Sequence, residues 1–380
     1  MQTLPTLPLS LYIHIPWCIK KCPYCDFNSH TSNSIDEKKY LEALMADLDT
    51  ELELTTTRPL QSIFFGGGTP SLFSPNTIHK IIEGAHQRLT FDNQIEITME
   101  ANPGTFEQKN FAEFKTAGIN RLSIGIQSFN DQHLKNIGRI HDAAQALGAI
   151  NTAQEAGFDN INLDLMFGLP GQKITQAIND IEIACNQNVQ HLSYYQLTIE
   201  ANTFFHAHPP AIPNIEDLWD MQIQCHNVLL DQGFLQYEVS AFSKPDQQCR
   251  HNLNYWNFGD YIGIGAGAHG KLTNLSTGEI TRRWKRRHPE DYMKNAVNGS
   301  LSGQSKIKPD ELIFEFLLNA LRLKNGFSYE IFEYHTGLSR NTLIEACQNI
   351  DAELLIIGES GIRTSDRGYR FLNDVLEQLI

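Results

Sequence analysis

The 380-residue sequence predicts an α/β fold, an open partial (β/α)6 barrel followed by a small winged-helix-like C-terminal domain. In roughly the first 200 residues, six short segments rich in β-branched or aromatic residues alternate with longer stretches of helical period. Such alternation produces a parallel sheet with helices outside. Six units are too few for a closed eight-stranded barrel, so we expect an open one.

The individual elements follow from apolar runs and from capping residues. The predicted strands are Ser10–Ile15, Ser62–Phe65, Glu96–Glu100, Arg121–Gly125, Asn160–Met166 and His191–Gln196. The predicted helix starts are Ser34, Ser74 before Pro75, Thr105 with Gln108, and Asp142, and the glycines expected to end helices are Gly118 and Gly157.

The pattern changes after residue 200 and again near residue 306. We expect residues 1–205 to form the barrel, 206–300 an extension, and 306–380 the small domain. In that domain, helices at Asp310–Leu323, Tyr329–Thr336 and Ser339–Asn349 precede a hairpin of Leu354–Ile357 with Tyr369–Leu372. It contains 8 basic and 12 acidic residues, so we interpret it as a packing domain rather than a DNA-binding one.

Composition limits the classes of function. A net charge of −14 argues against general nucleic-acid binding. No run of 18 apolar residues predicts a transmembrane segment, and the first residues do not resemble a signal peptide. The seven cysteines are an odd number, which does not favour a disulfide framework. We therefore expect a cytoplasmic protein.

Three cysteines follow the first predicted strand at C-x3-C-x2-C spacing: Cys18, Cys22 and Cys25. A structural zinc site takes four ligands, so this set is one short. A [4Fe–4S] cluster held by three cysteines instead leaves one iron open to a reacting molecule. In a parallel barrel, chemistry lies at the C-terminal ends of the strands, which is where this loop begins.

Further polar and glycine residues follow the next strands. Gly66-Gly67-Gly68 directly follows the second one, where backbone without side chains can approach a ligand closely, although a simple tight turn explains it as well. The polar residues at later strand ends are Glu100, Gln127 and Asp164, and Arg139 offers a fork for a carboxylate. Any one of them fits a structural hydrogen bond; together they favour a polar ligand.

These motifs resemble the radical S-adenosylmethionine superfamily. The resemblance rests on the three cysteines, with Tyr24 before the last, and on Gly66-Gly-Gly-Thr-Pro70. It implies a [4Fe–4S] cluster held by Cys18, Cys22 and Cys25, whose open iron binds S-adenosyl-L-methionine. The positions matching cofactor contacts are Tyr12, Tyr24, Gly67, Gly68, Thr69, Glu100, Gln127, Arg139 and Asp164.

A narrower resemblance is carried by Tyr12-x-His14-x-Pro16-x-Cys18, which is similar to the branch of oxygen-independent coproporphyrinogen III oxidase and the HemW-type haem chaperones. The oxidase pattern has a further cysteine where this chain has Phe27, and a long segment before the cluster where this chain has 17 residues. Both departures favour the HemW type. That resemblance implies haem binding and transfer to an acceptor protein, a respiratory haem protein being one expected acceptor.

The sequence indicates the haem-binding residues less clearly than the cluster cysteines. His251-Asn-Leu-Asn-Tyr-Trp256 resembles the H-N-x-x-Y-W motif of this family, and imidazole is a common haem ligand, so His251 is the first candidate and Cys249 the second. A structural role for His251 is an equal alternative. The basic run Arg282–His288, with five basic residues in seven, is either a solvated segment or a site for haem propionates.

Two other functions remain open at this point. One is a radical enzyme that decarboxylates coproporphyrinogen III without oxygen, against which Phe27 argues. We assign no catalytic residue, and whether S-adenosylmethionine is cleaved is undecided. The other is a closed zinc module with His30 as fourth ligand, which leaves the glycine loop and the strand-end residues unexplained.

Overall fold

The computed structural model describes residues 7–32, 34–52, 58–104, 108–296 and 302–379. Its strands are β1 (Leu9–Ile15), β2 (Trp17–Cys18), β3 (His30–Thr31), β4 (Leu60–Gly67), β5 (Phe91–Ala101), β6 (Arg121–Gln127), β7 (Ile161–Phe167), β8 (His191–Gln196), β9 (Leu235–Glu238), β10 (Ala241–Ser243), β11 (Asp260–Ile264), β12 (His269–Thr273), β13 (Ile280–Lys285), β14 (Ser302–Lys306), β15 (Phe327–Ser328), β16 (Leu355–Ile357) and β17 (Gly361–Thr364).

Helices connect these strands. They are α1 (Glu37–Leu52), α2 (Pro75–His86), α3 (Phe111–Ala117), α4 (Asp131–Asn136), α5 (Ala143–Glu155), α6 (Ile174–Cys185), α7 (Phe204–Ala207), α8 (Ile215–Asp231), α9 (Arg250–Trp256), α10 (Pro289–Ala296), α11 (Pro309–Ala320), α12 (Tyr329–Thr336), α13 (Arg340–Cys347), α14 (Asp366–Arg370) and α15 (Leu372–Glu377). Among the helices in the described ranges, none has both the length and the apolarity needed to cross a bilayer.

The predicted open barrel is confirmed. Strands β1, β4, β5, β6, β7 and β8 are neighbours in that order, and each pairs in parallel with the next. Because the strands are parallel, their C-terminal ends share one edge, where the cysteine loop and the strand-end polar residues meet. A large cluster of buried aliphatic and aromatic side chains packs this sheet against its helices.

The sheet extends beyond the six predicted strands. Within the described residues it has twelve strands in the order β14-β13-β12-β11-β1-β4-β5-β6-β7-β8-β10-β9, and its two ends do not meet. Strand β11 pairs in parallel with β1, and all five of its residues are buried. The extension predicted at residues 206–300 thus supplies strands to both edges of the barrel sheet.

Most helix ends follow the predicted caps. Ser74 caps α2 by accepting from the Thr77 amide at 3.3 Å, and Gly118, at φ 115°, ends α3. The prediction that Ser34 caps α1 is wrong, because the helix begins at Glu37. Asp36 takes the capping role, since its carboxylate accepts from the Lys39 amide at 3.0 Å. The capping box at Thr105 lies outside the described residues.

The small domain has its own core, in which Phe316 and Phe332 pack edge to face. Its three helices are confirmed, but the predicted hairpin is wrong in one strand. Strand β16 pairs with β17, across a tight turn closed by the Gly358 amide and the Gly361 carbonyl at 2.9 Å. Gly361 packs closely against β15, where a Cβ would clash with the Phe327 carbonyl oxygen, and the segment at Tyr369 continues as helix instead.

Candidate functional site

The three cysteines lie on the loop that begins with β2. Cys18 ends β2, and the Cys25 amide donates to the Cys22 carbonyl at 3.1 Å. Thr69 Oγ1 donates to Cys18 Sγ at 3.6 Å, and Arg139 Nη1 donates to Cys22 Sγ at 3.7 Å. All three cysteines are partly exposed. Residues from two other parts of the barrel therefore orient the sulfurs of this loop.

The three cysteines match in number the ligands that a [4Fe–4S] cluster with one open iron takes. Within the described part of the chain, no three Cys, His, Asp or Glu side chains converge as ligands of one metal ion. In a [4Fe–4S] cluster each cysteine binds a different iron, so convergence on one point is not needed. The proposed fourth zinc ligand, His30, instead packs its ring against that of His288, with centroids 5.4 Å apart.

The glycine loop, Gly66–Gly68 at the end of β4, has no room for side chains. Gly67 has a φ of 113°, and a Cβ there would lie 2.5 Å from the His14 ring. A Cβ on Gly68 would lie 2.5 Å from the carbonyl oxygen of Trp17, to which the Thr69 amide donates at 2.8 Å. The glycine loop therefore lies directly against the cysteine loop, and only glycine fits there.

Two carboxylates lie in the same region: Glu100 near the end of β5, and Asp164, which is in the middle of β7 rather than at its end as predicted. Glu100 accepts from the Gly67 amide at 3.1 Å, and Asp164 accepts from Ser123 Oγ at 3.0 Å and Asn162 Nδ2 at 2.8 Å. Burial, and secondly the charge of Asp164, raise the pKa of Glu100 to about 8. Burial also raises the pKa of Asp164. The two groups therefore favour a positively charged ligand between them.

Gln127 and Arg139 lie beside these two carboxylates, in the same cavity. Gln127 adopts a φ of 67°, unusual for a residue other than glycine, and its Oε1 accepts from Tyr195 OH at 2.7 Å. Arg139 Nη2 donates to the Gly125 carbonyl at 2.7 Å. Its Nε is buried and has no hydrogen-bond partner among the described residues.

The sequence did not reveal Asn102 and Tyr195, which hold these residues in place. Asn102 Oδ1 accepts from Arg139 Nη2 at 2.7 Å, and its Nδ2 donates to Thr69 Oγ1 at 3.0 Å. Asn102 thus joins the arginine to the glycine loop. Its position two residues after Glu100, just beyond β5, was the available signal.

These groups line one cavity of about 280 Å³. The predicted residues that it brings together are Cys18, Cys22, Tyr24, Cys25, Gly67, Gly68, Thr69, Glu100, Gln127, Arg139 and Asp164. Tyr12 is the exception. Its hydroxyl bonds to His14 Nδ1 at 2.9 Å, and its side chain lines a neighbouring cavity instead.

That second cavity is larger, about 940 Å³. Residues of both cavities form a common wall: Phe27, Gly67, Glu100, Ser123 and Asp164. The rest of the lining includes six aromatic side chains: Tyr12, Phe64, Tyr255, Trp256, Tyr261 and Trp284. Phe27 and Trp284 are 59% and 40% exposed, so apolar groups also mark the mouth. The cavity suits a large, mainly apolar ligand next to the cofactor pocket.

His251 lies in the wall of the large cavity. Its Nδ1 bonds to Ser62 Oγ at 3.0 Å, and its ring packs against Phe64 with centroids 5.0 Å apart. Burial, with the charge of Arg121, lowers the pKa of His251 to about 3. The imidazole is therefore neutral at physiological pH, which is the form that binds metals, and Nε2 is the nitrogen left for a ligand.

Glu96, which the sequence did not single out, holds the helix that carries His251. Its carboxylate accepts from the amides of Arg250 and His251, each at 3.1 Å, at the first turn of α9. Cys249, the second haem-ligand candidate, is fully buried, and its thiol lies 3.5 Å from the same carboxylate, outside the cavity lining. Burial raises the pKa of this thiol to about 12.

In the basic run Arg282–His288, some side chains form ion pairs within the protein and others line the large cavity. Arg282 pairs with Glu315, and Arg283 and Lys285 form buried ion pairs with acidic residues of α1. Arg287 is exposed and lines the mouth of the large cavity. The run is therefore mostly an anchor for β13, with Arg287 as the member placed to meet a ligand.

Comparison with known proteins identifies the family of this chain. Residues 12–183 match the radical SAM superfamily, and residues 307–371 match the HemN C-terminal domain. The chain is 45% identical to the "Heme chaperone HemW" of Haemophilus influenzae, over 99% of this chain and 98% of that protein. The chain belongs to the HemW family. The HemW of Escherichia coli is similarly related, at 44% identity over 99% of both chains.

The chain also resembles a mammalian protein. The mouse protein "Radical S-adenosyl methionine domain-containing protein 1, mitochondrial" is 34% identical over 98% of this chain and 87% of its own length. Among solved structures, the coproporphyrinogen III oxidase of Escherichia coli superposes with a TM-score of 0.82 over 98% of this chain and 90% of that one. At 21% identity, this match shows that this chain and the oxidase share a fold.

Proposed function

We propose that this protein is a haem chaperone that binds haem in the large cavity and passes it to an acceptor protein. The observation that carries the proposal is the aromatic cavity of about 940 Å³ with the neutral imidazole of His251 in its wall. The family supports it, since its bacterial relatives are named heme chaperones. Radical decarboxylation of coproporphyrinogen III is the competing function.

The residues of the small cavity fit a [4Fe–4S] cluster with S-adenosylmethionine. Cys18, Cys22 and Cys25 would hold three irons, and the cluster would offer its fourth iron to the amino and carboxylate groups of the cofactor. The glycine loop lies against the cysteine loop without side chains of its own, so a cofactor in this cavity would meet its backbone. Glu100 would accept the amino group, and Arg139, whose buried Nε is unpaired among the described residues, would hold the carboxylate.

His251 would bind the haem iron through Nε2. Its bond to Ser62 orients the ring, as outer partners of metal-binding histidines do. Arg287 at the mouth would meet a propionate.

Titration of the anaerobically prepared protein with haem tests this site. Wild type should give a saturable Soret band at one haem per chain, and His251→Ala should weaken binding at least about tenfold. His269→Ala is the matched control, because His269 lines the same cavity near its exposed side. Equal losses in both variants, or none in His251→Ala, would remove His251 as the ligand.

We also propose that the protein works in the cytoplasm, where its seven free thiols stay reduced. A respiratory haem protein is the acceptor class we propose. Capture of haem by candidate apoproteins from the haem-loaded chain, followed by their own absorption spectra, tests the acceptor directly.

A further inference from the structure

The large cavity contains a buried arginine without a partner. Arg121 begins β6, is 2% exposed, and lines this cavity. Within the described part of the chain its guanidinium makes no hydrogen bond, and its Nε is buried and unpaired. Arg58 is also 2% exposed but donates to Asp260 at 2.8 Å. Buried arginines normally have such a partner, so Arg121 requires an explanation.

The nearby carboxylates do not fill this role. Glu96 and Asp164 act on Arg121 electrostatically, yet neither forms an ion pair with it within 4.0 Å. Glu96 is engaged by the amides at the start of α9, and Asp164 by Ser123 and Asn162. Their negative charge stabilises the buried guanidinium electrostatically. Its N–H groups nevertheless have no hydrogen-bond acceptor among the described residues.

The position of Arg121 in the cavity indicates what would pair with it. It lies at the start of β6, at the opposite end of the strand from Gln127, while exposed Phe27, Trp284 and Arg287 lie at the mouth. Arg121 therefore marks the inner end. His251 lines the same cavity, and its pKa is lowered first by burial and then by the charge of this guanidinium.

We propose, on the basis of the haem-binding function above, that Arg121 binds a carboxylate of the cavity's ligand, one propionate of haem, at the inner end of the cavity. A planar guanidinium binds a carboxylate through two parallel hydrogen bonds, and the water-poor surroundings strengthen them. One propionate then points into the barrel, toward Arg121, and the ring is fixed while His251 meets the iron. The contact selects porphyrins with free carboxylates.

Haem and its dimethyl ester distinguish this role from a structural one. Wild type should bind haem at least about tenfold more tightly than the ester, which has the iron and ring but no free carboxylate. In Arg121→Gln this preference should shrink to less than about threefold, because haem binding weakens and ester binding does not. Iron-free protoporphyrin IX should lose affinity in the same variant, since its carboxylates remain.

Three further variants keep the result interpretable. Arg58→Gln removes an equally buried arginine outside the cavity, and it should lower the melting temperature while preserving the preference for haem. Arg121→Lys keeps the positive charge but cannot form the two parallel hydrogen bonds of a guanidinium. It should therefore retain part of the preference for haem over the ester. Arg287→Gln tests the competing contact at the mouth. Loss of the preference in Arg287→Gln but not in Arg121→Gln overturns the proposal.

The two proposals fail in different ways. If wild type binds neither haem nor protoporphyrin IX, the haem-chaperone function itself fails. If wild type binds haem and ester equally, or Arg121→Gln loses only thermal stability with the preference intact, haem binding stands. Arg121 is then a structural charge that balances Glu96 and Asp164.

Discussion

At the scale of single residues, the shared wall between the cavities is set by two buried carboxylates. The pKa of Glu100 is raised to about 8, first by burial and then by the charge of Asp164. Among the described residues, the Gly67 amide donates a hydrogen bond to its carboxylate. A carboxyl group in this state is protonated at neutral pH until a cation arrives. Binding of a cationic amino group should therefore release a proton.

Stability against pH tests the state of Glu100. In the cluster-free protein, folding raises its pKa, so the folded state holds more protons between about pH 4.5 and pH 8, and the stability that Glu100 contributes falls as the pH rises through this range. Glu100→Gln should therefore be more stable relative to wild type at pH 8 than at pH 5, by up to about 4 kcal/mol. Urea unfolding of both proteins at the two pH values measures the difference.

The exposed carboxylate Glu113 provides the control for that experiment. Glu113→Gln also removes one carboxylate, but one that is not buried, so it controls for the loss of a negative charge. A Glu100→Gln protein that follows wild type at both pH values would show that Glu100 is ionised in the apo-protein.

The pKa of His251 makes a second prediction at this scale. Because the folded pKa is about 3, lowered from its ordinary value by burial, the imidazole does not take up a proton between about pH 8 and pH 5.5. Haem affinity should change less than about threefold across that range when followed by the Soret band. A tenfold fall centred near pH 6.5 would instead indicate a ligand histidine with an ordinary pKa.

At the scale of elements, α9 depends on a residue from a distant strand. Glu96 on β5 accepts the amides of Arg250 and His251 and places a negative charge at the positive end of the helix. The short helix has no side-chain hydrogen bond from its own N-cap, Cys249. The position of His251 therefore depends on β5, the strand that also carries Glu100.

Removal of this contact should affect both stability and haem binding. Glu96→Ala leaves two buried amides unpaired and should lower the free energy of unfolding by about 2–3 kcal/mol. It should also weaken haem binding, because α9 loses its fixed start. Ser74→Ala, the cap of α2, should cost about 1 kcal/mol and leave haem affinity unchanged. Urea unfolding and haem titration of both variants provide the comparison, and an unaltered haem affinity in Glu96→Ala would contradict this role.

The glycine loop is the second element on which the site depends. In Gly68→Ala the new Cβ would lie 2.5 Å from the Trp17 carbonyl, so one of the two loops must move. We expect a loss of about 1–3 kcal/mol in the free energy of unfolding and weaker S-adenosylmethionine binding by calorimetry. Gly148→Ala within α5 meets only ordinary contacts and should be neutral or stabilising. Unchanged cofactor affinity in Gly68→Ala would contradict the close fit.

The elements also show what the sequence could predict. The six barrel strands and the Ser74 cap are local signals, carried by apolar periodicity and by a cap before a proline. The pairing of β11 with β1 joins residues about 250 positions apart, and no local pattern encodes it. Glu96 and Arg121 were missed for the same reason, because their roles depend on α9 and on a cavity that exists only after folding.

At the scale of the whole molecule, two cavities share a wall at one edge of an open sheet. The small one gathers the cysteines and the strand-end residues, and the larger one gathers aromatic side chains and His251. Strand β11 and its antiparallel neighbours enlarge the sheet on the β1 side and supply Tyr261, His269 and Trp284 to the larger cavity. A large ligand can thus be held next to the cofactor without entering its pocket.

The central claim is that this arrangement carries haem and does not decarboxylate porphyrinogens. Anaerobic reconstitution with iron and sulfide, followed by incubation with S-adenosylmethionine, a reductant and either haem or coproporphyrinogen III, tests it directly. The account predicts the broad visible absorbance of an iron–sulfur cluster, retention of one haem per chain through gel filtration, and unchanged coproporphyrinogen III. Turnover to protoporphyrinogen, or failure to retain haem, would contradict it.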